Sequence, residues 1–193
     1  MSEQDVSSAI DLFSLVEKLK TSPRAGWLRF QIDHPESIAD HMYRMSIMAM
    51  VAGRENGYDQ SKCIKLAIAH DIAEAIVGDI TPHDNVSKEE KHRLELAAIN
   101  KICDSLGAQA AGKELKALWE EYESGETEEA KLLKDLDKVE MILQAHEYEQ
   151  AQSVGLSEFF DSVKDKFKTP IGKAYAAEVV RRRVKAQGSV QES

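Results

Sequence analysis

The sequence predicts an all-α fold, a bundle of helices packed into one domain over residues 1–193. Apolar residues recur at three- and four-residue intervals in nearly every segment, and no stretch has the sustained alternation rich in β-branched residues that marks strands. Glycine and proline are sparse, with 10 and 4 copies, so few positions interrupt a helix. We expect one hydrophobic core over about residues 8–186 and frayed ends at 1–6 and 187–193.

The first two helices have recognisable ends in the sequence. Ser8 with Asp11 forms a capping-box start, and the Thr-Ser-Pro stop at residues 21–23 ends the helix that follows. After a loop, Ser37 with Asp40 forms a second capping box. The helix behind it presents a buried stripe of apolar residues and ends near a glycine.

A third helix is expected over residues 61–77, because apolar side chains again share one face and Gly78 supplies the left-handed residue that commonly ends a helix. This helix would carry His70, Asp71 and Glu74. Cap residues and proline place the later helices at 87–106, 115–122, 127–152, around 159–160 and from 170 onward.

Charge and cysteine content exclude several classes of protein. The count of 25 basic against 34 acidic side chains gives a net charge of -9, which opposes a nucleic-acid polymer or an anionic membrane as partner. No apolar run approaches the roughly 20 residues of a membrane span, and no secretory leader is recognised. Cys63 and Cys103 form no C-x-x-C pair, so zinc-ribbon and thioredoxin chemistry are not expected. We expect a cytoplasmic protein, with the nucleus as the alternative.

Four residues that are distant in sequence form a candidate metal site. His70 and Asp71 are adjacent and would point about 100° apart on a helix, while His41 and Asp137 approach from two other helices. Imidazole with carboxylate suits divalent Mn, Fe, Co, Ni or Zn and leaves positions for water and a substrate oxygen. Glu74 lies one turn further along, on the same face. This arrangement indicates hydrolysis.

Each of these residues also has an ordinary structural explanation. A His-Asp pair is common by chance, and His41 alone would be a core histidine with satisfied hydrogen bonds. Asp137 alone would be a surface carboxylate paired with Lys134 one turn before it. That explanation is weakened for Asp137, because Leu133 and Met141 share its side of the helix.

The order of the four residues in a helical chain resembles the HD-domain metal-dependent phosphohydrolases. Within them, the chain looks like the HD-domain-containing protein 2 family of 5'-deoxynucleotidases. The resemblance covers most of the chain and rests on these strings: Arg24-Ala25-Gly26-Trp27, Pro35-Glu36-Ser37-Ile38-Ala39-Asp40-His41, His70-Asp71-Ile72-Ala73-Glu74, Gly78-Asp79-Ile80-Thr81-Pro82, 88–93, 118–123 and 136–149.

The resemblance implies a homodimer that hydrolyses deoxyribonucleoside 5'-monophosphates with Mn²⁺, Co²⁺ or Mg²⁺. By the family pattern, one ion is held by His41, His70, Asp71 and Asp137. A second ion would be held by Glu74, Asp79 and the backbone oxygen of Ile80; with one ion only, Glu74 and Asp79 would act on water and substrate. The nucleotide pocket would be lined by Trp27, Ile80, Thr81 and Pro82.

One position departs from the family pattern. Gly26 stands where bacterial relatives have an arginine that orients the phosphate, and Arg24 is the nearby substitute, with Arg29 also close. Trp27 would serve equally well as a core anchor. Ile80 is the candidate for the wall that excludes a ribose hydroxyl. Further basic groups that could reach the phosphate are Lys88, Lys91, His92 and Arg93.

Two other classes of function stay open. The first is a different HD-domain hydrolase, acting on cyclic nucleotides or alarmones, in which His83 and His92 would help to build a histidine-rich dinuclear site. The second is a non-catalytic helical dimerisation module. A di-iron carboxylate bundle is set aside, because Glu89 and His92 give only one of the two Glu-x-x-His motifs that it needs.

Overall fold

A computed structural model describes residues 2–107 and 110–191, and the all-α prediction is confirmed for them. The expected frayed ends fall partly on residues 1 and 192–193, which lie outside this part of the chain. Its helices are α1 (Glu3–Thr21), α2 (Ala25–Leu28), α3 (Ile38–Glu55), α4 (Gln60–Ala69), α5 (Glu74–Val77), α6 (Lys88–Ser105), α7 (Ala110–Ser124), α8 (Glu128–Gln152), α9 (Ser157–Val163) and α10 (Pro170–Gln191).

Several helix ends lie where the sequence predicts them. Ser37 Oγ accepts a hydrogen bond from the Asp40 amide, and the Ser37 amide donates one to Asp40 Oδ2, so the capping box of α3 is confirmed. The side chains of Ser87 and Thr127 cap α6 and α8 by accepting from the amides of Glu90 and Ala130. Gly78 follows α5 with φ of 76°, a conformation that glycine adopts without strain.

The predicted start of the first helix is wrong. The helix α1 begins at Glu3, and its capping box is formed by Ser2 with Asp5. Ser8, the expected cap, is buried inside the helix. The Ser-x-x-Asp spacing occurs twice, at Ser2 with Asp5 and at Ser8 with Asp11. Capping at the earlier copy adds residues 3–8 to the helix.

The predicted third helix is also wrong, because it is interrupted where the candidate ligands lie. The helix α4 ends at Ala69 and α5 begins at Glu74. Between them the amides of Ile72 and Glu74 donate to carbonyls three residues back, at 3.3 and 3.0 Å, as in a tighter turn. His70 and Asp71 therefore lie in a turn between helices, and only Glu74 is in a helix. The segments expected at 115–122 form one longer helix, α7.

The core surrounds α8, which packs against α3, α4, α7 and α10. Its apolar face contributes Leu132, Leu133 and Leu136 to a fully buried cluster with Met45 of α3 and Leu66 of α4. Burial of this kind is the main stabilising term in folding, at about 25 cal/mol for each Å² of apolar surface. The same packing brings α3, the turn after α4 and the middle of α8 to one place.

A buried carboxylate fixes the last helix against α8. Asp135 accepts hydrogen bonds from the amides of Lys168 and Thr169 at 2.8 and 2.7 Å and from the Thr169 hydroxyl at 2.8 Å. Gly172 packs so closely that an added Cβ would lie 2.5 Å from this carboxylate. Across residues 2–107 and 110–191, none of the helices has the length and apolar content needed to cross a membrane.

Candidate metal centre

Two imidazole nitrogens and two carboxylates meet at the junction of α3, α4 and α8. The Nε2 atoms of His41 and His70 are buried and have no hydrogen-bond partner. His70 Nε2 lies 3.0 Å from Asp71 Oδ2, and His41 Nε2 lies 3.8 Å from the same oxygen and 3.4 Å from Asp137 Oδ1. Ligand atoms of His41, His70 and Asp71 all lie within 4.8 Å of one another.

This geometry fits a divalent cation. A buried polar atom without a partner costs about 1–3 kcal/mol, and here two such atoms both face Asp71, with Asp137 beside one of them. A cation between them would satisfy both nitrogens and neutralise the carboxylates, and imidazole with carboxylate is a common donor set for divalent transition metals.

The two imidazoles are oriented by different partners. His41 Nδ1 lies 2.7 Å from Oε2 of Glu140, a fully buried carboxylate of α8. His70 Nδ1 lies 2.9 Å from the Ala67 carbonyl, one turn earlier in its own segment. Because each Nδ1 has an acceptor, each ring turns its Nε2 towards the carboxylates of Asp71 and Asp137.

Asp137 is oriented by α7. The Tyr122 hydroxyl donates to Asp137 Oδ2 at 3.0 Å, and burial followed by the nearby Asp137 charge raises the Tyr122 pKa well above its usual value, so this donor stays protonated. Lys134 does not act as the simple surface partner expected for Asp137. Its Nζ lies 4.2 Å from the Tyr122 ring centroid and 3.8 Å from Glu123.

Arg24 brings a positive charge to the same carboxylates. Its Nη1 lies 3.3 Å from Asp71 Oδ2 and its Nη2 lies 4.0 Å from Asp137 Oδ1. Burial alone would raise the pKa of Asp71, but His70, Arg24 and His41 hold it well below its usual range. The Asp137 pKa is lowered against burial by His41 and Arg24. Both carboxylates are therefore ionised and ready to bind a cation.

The residues expected to hold a second ion border the same cleft. Glu74 is buried, its Oε2 has no partner, and burial followed by the charges of Asp71 and Asp79 raises its pKa well above the usual value. Asp79 Oδ2 accepts from the Ala25 amide at 2.7 Å. The Ile80 carbonyl accepts from Lys91 Nζ at 2.9 Å, so a cationic group already lies on this oxygen.

The cleft has a volume of about 520 Å³ and continues from the metal centre to an aromatic wall. Trp27 borders it but is only 2% exposed, its Nε1 donates to Glu36 at 2.9 Å, and its ring lies 4.4 Å from that of Phe159. The core-anchor interpretation of Trp27 thus agrees with its packing, although the residue also lines the cleft. Ile80, Thr81 and Pro82 also line the cleft.

Not all of the basic and histidine side chains singled out from the sequence take part. Arg93 pairs with Glu90 at 2.6 Å, with its side chain 67% exposed, and does not line the cleft. His83 and His92 do line it, but their closest acidic neighbours are Glu158 and Glu123, each at 3.5 Å. Cleft-lining cations are Arg24, Arg29, Lys88, Lys91 and Lys134.

Sequence reasoning missed two residues that hold the candidate ligands. Glu140 follows Asp137 by one turn of α8 and could have been noticed, because a charged residue on the apolar side of a helix needs a buried partner. Tyr122 carried no such signal, since an aromatic residue at helical spacing is ordinary core. With these two residues in place, the molecule is a helical protein with a candidate metal centre of histidine and aspartate side chains in an open cleft.

Comparisons with known proteins agree with this description. The HD domain family matches residues 16–178. The 5'-deoxynucleotidase HDDC2 of Dictyostelium discoideum is 44% identical over 186 residues, 90% of this chain and 97% of that protein. Its namesake from Mus musculus is 51% identical over 158 residues, 81% of this chain and 78% of that protein. A solved structure of a conserved hypothetical protein from Pyrococcus furiosus has a TM-score of 0.74 at 34% identity and covers 91% of this chain and 99% of its own.

This chain belongs to the HD domain family, in the group that includes the HDDC2 proteins. The resemblance seen in the sequence is thereby confirmed, and so is the expected helical fold.

Proposed function

We propose that this protein is a metal-dependent 5'-deoxynucleotidase, a phosphomonoester hydrolase that releases phosphate from dAMP, dGMP, dCMP and dTMP. The observation that carries the proposal is the pair of buried, unpartnered Nε2 atoms of His41 and His70 facing ionised Asp71 and Asp137 in a substrate-sized cleft. Relatives that match most of the chain are named 5'-deoxynucleotidases, which supports the choice of substrate class.

In this proposal His41, His70, Asp71 and Asp137 hold one divalent ion, with Mn²⁺, Co²⁺ and Mg²⁺ as candidates. Such an ion supplies positive charge at the phosphate oxygens and makes water a better nucleophile near neutral pH. The protein's part is to keep the donors deprotonated and aimed at one point. The low pKa values of Asp71 and Asp137 serve that purpose.

Glu74 and Asp79 are the proposed catalytic carboxylates. Glu74 is buried beside Asp71 and has a raised pKa, so it is suited to accept a proton from the attacking water and to return one to the leaving deoxynucleoside oxygen. Asp79 is held by the Ala25 amide and would orient that water. With a second ion bound, the same two carboxylates and the Ile80 carbonyl would be its ligands.

Substrate binding is assigned to Arg24 and to the walls of the cleft. The Arg24 guanidinium lies 3.3 Å from Asp71, so a phosphate bound beside Asp71 would come within its reach. Ile80 would pack against the 2' carbon and exclude a ribose hydroxyl, with Thr81 and Pro82 beside it and Trp27 across the cleft.

A phosphate-release panel tests the proposal. Deoxy and ribo 5'-monophosphates would be compared with Mn²⁺, Co²⁺, Mg²⁺ and EDTA, together with cyclic AMP and an alarmone. We expect dAMP to be hydrolysed faster than AMP, with weak discrimination between bases and no turnover in EDTA. His70→Asn should abolish activity, while His34→Asn, at a side chain that is 95% exposed, should not. Full activity in EDTA would reject the mechanism, and turnover of cyclic AMP alone would favour the rival hydrolase.

We also propose that the enzyme is a homodimer formed through α3. The outer face of this helix exposes Tyr43, Ile47 and Met50 at one-turn intervals, with Tyr43 70% exposed. If two α3 helices pair antiparallel about Ile47, exposed Asp40 and Arg54, each seven residues from it, come to lie opposite one another. Such a twofold contact is self-complementary in shape and in charge.

Light scattering after gel filtration tests the interface. Ile47→Lys should convert the dimer to a monomer. Phe13→Lys is the matched control, because Phe13 belongs to a second exposed apolar stripe, on α1, and is 62% exposed. A dimer that persists in Ile47→Lys but is lost in Phe13→Lys would show that the interface is on α1.

For location we propose the cytoplasm, which suits the free thiols of Cys63 and Cys103. Imaging of a fluorescent fusion would distinguish the cytoplasm from the nucleus.

A further inference from the structure

A row of charged side chains leads from the candidate metal centre to the molecular surface. Glu140 is fully buried, and its Oε2 lies 2.7 Å from His41 Nδ1. Its Oε1 accepts from Arg44, with Nε at 2.8 Å and Nη2 at 2.7 Å. Arg44 then reaches Glu147 at 2.7 Å, where the carboxylate is 45% exposed. Neither Glu140 nor Arg44 has a role in the function proposed above.

The chemistry of metal-bound histidine explains the role of these charged side chains. An imidazole binds a metal through one nitrogen, and the hydrogen bond made by its other nitrogen fixes which tautomer is present and how the ring is turned. A carboxylate acceptor also makes the imidazole a stronger ligand than a neutral acceptor would. His70 has a backbone carbonyl in this position, whereas His41 has Glu140.

We propose that Glu140, clamped by Arg44, is a positioning residue that holds His41 with its Nδ1 hydrogen on the carboxylate and presents Nε2 to the divalent cation. The unpartnered state of His41 Nε2 follows from this arrangement, because the ring cannot turn without breaking a buried hydrogen bond.

Arg44 explains how the protein tolerates a carboxylate at the centre of its core. The Arg44 guanidinium contacts Glu140 at 2.7–2.8 Å, so the buried carboxylate has a cationic partner. An unpaired charge at this depth would be strongly destabilising. Arg44 contacts Oε1 and His41 Nδ1 contacts Oε2, so both oxygens of the carboxylate are held in place.

The alternative that this cluster is itself a metal site is disfavoured. Glu36, His41 and Glu140 do place ligand atoms within 4.8 Å of one another. However, Glu36 accepts from the Trp27 indole at 2.9 Å, and Glu140 accepts from Arg44 and His41. Their donors already occupy the space that an ion would need, so the cluster is a hydrogen-bonded support for His41.

Direct metal binding tests the proposal. The affinity of the full-length protein for Mn²⁺ would be measured by competition with a fluorescent chelator. Glu140→Gln keeps the size of the side chain and removes its charge, and we expect Mn²⁺ affinity to fall by about 10- to 100-fold. Glu147→Gln is the matched control, since it contacts the same Arg44 at its exposed end and should leave the affinity unchanged.

A second readout separates positioning from mere stability. In Zn²⁺-loaded protein, which is diamagnetic, the His41 Nδ1 proton should give a slowly exchanging, strongly downfield NMR signal that Glu140→Gln removes. If Glu140→Gln lowers only the free energy of unfolding and keeps Mn²⁺ affinity, the proposal is overturned.

Should Glu140→Gln fail to fold, Arg44→Gln carries the same test, with weaker Mn²⁺ binding expected and unchanged binding contradicting the proposal. Because no readout here uses a nucleotide, failure of the deoxynucleotidase proposal would be recognised separately.

Discussion

Tyr122 of α7 holds one oxygen of Asp137 and leaves the other to the metal centre. The phenol donates to Asp137 Oδ2 at 3.0 Å, while Oδ1 lies 3.4 Å from His41 Nε2. The Tyr122 ring also packs 4.9 Å from that of His70. One aromatic side chain thus contacts a carboxylate from α8 and an imidazole from the turn after α4.

Removing the Tyr122 hydroxyl should loosen Asp137 without disturbing the core. We expect Tyr122→Phe to lower kcat/KM for dAMP by about 10-fold and to weaken Mn²⁺ binding, as is typical when a partner of a metal ligand is lost. Initial-rate kinetics and chelator competition would measure both effects. Tyr43→Phe is the control at an exposed position. Unchanged kinetics in Tyr122→Phe would show that Asp137 needs no such support.

The metal-free protein should lose stability as pH rises. Burial and the Arg24 charge lower the His41 pKa, but contacts with Asp137 and Glu140 outweigh them and raise it from 6.5 to about 9. The folded state therefore binds this proton more tightly than the unfolded state does. The stabilisation is complete below pH 6.5 and is lost as pH rises to about 9, which corresponds to about 3 kcal/mol.

Urea unfolding in EDTA at a series of pH values would measure this loss. His41→Asn should flatten the dependence between pH 6.5 and 9. Saturating Mn²⁺ should oppose the loss, because a cation replaces the proton on Nε2. Stability that rises over this interval in the metal-free protein would contradict the assignment.

Arg24 should act on the phosphate and not on the deoxynucleoside. We expect Arg24→Gln to raise KM for dAMP and the inhibition constant of inorganic phosphate by about 10-fold or more, since a charge-assisted contact is worth roughly 1.5–3 kcal/mol. Arg29→Gln is the control, because Arg29 pairs with Glu158 at 3.0 Å on the exposed rim. If inorganic phosphate inhibits Arg24→Gln and the wild type equally, Arg24 does not contact the phosphate and only supports Asp71.

Ile80 should set the preference for deoxyribose. Truncation in Ile80→Ala opens space beside the 2' carbon, and we expect the ratio of kcat/KM for dAMP over AMP to fall by about 10-fold, the usual scale for steric discrimination by a few methyl groups. Ile68→Ala, at a half-exposed position of α4, serves as the control. The same ratio in Ile80→Ala and the wild type would place the sugar against another wall.

Asp135 should be among the residues whose loss destabilises the fold most. It accepts three hydrogen bonds from the segment that starts α10, and Asp135→Ala would leave those donors buried without a partner. We expect the free energy of unfolding to fall by about 3 kcal/mol or more. Chemical denaturation would measure it against Asp161→Ala, at an exposed residue of α9. A loss as small as that of the control would disprove the anchoring role.

Helix type and several helix ends follow from local chemistry and were predicted correctly. The capping box of Ser37 with Asp40 and the left-handed Gly78 depend only on neighbouring residues. Two local predictions were nevertheless wrong. Ser8 competes with an equivalent Ser2, and residues 61–77 are helical by periodicity although the chain turns at residues 70–73. In both cases the sequence offers two near-equal local solutions, and tertiary packing selects one.

The sequence by itself determined an all-helical protein and the identity of the residues that could bind a metal, because periodicity and side-chain chemistry are properties of the chain. Only the tertiary structure decided that His41, His70 and Asp71 come within 4.8 Å, that Tyr122 and Glu140 hold the ligands, and that Arg24 lies against them. Those contacts join the start of α2, α3, the turn after α4, α7 and α8 over separations of up to 113 residues. Their geometry depends on how the helices pack, which no local pattern encodes.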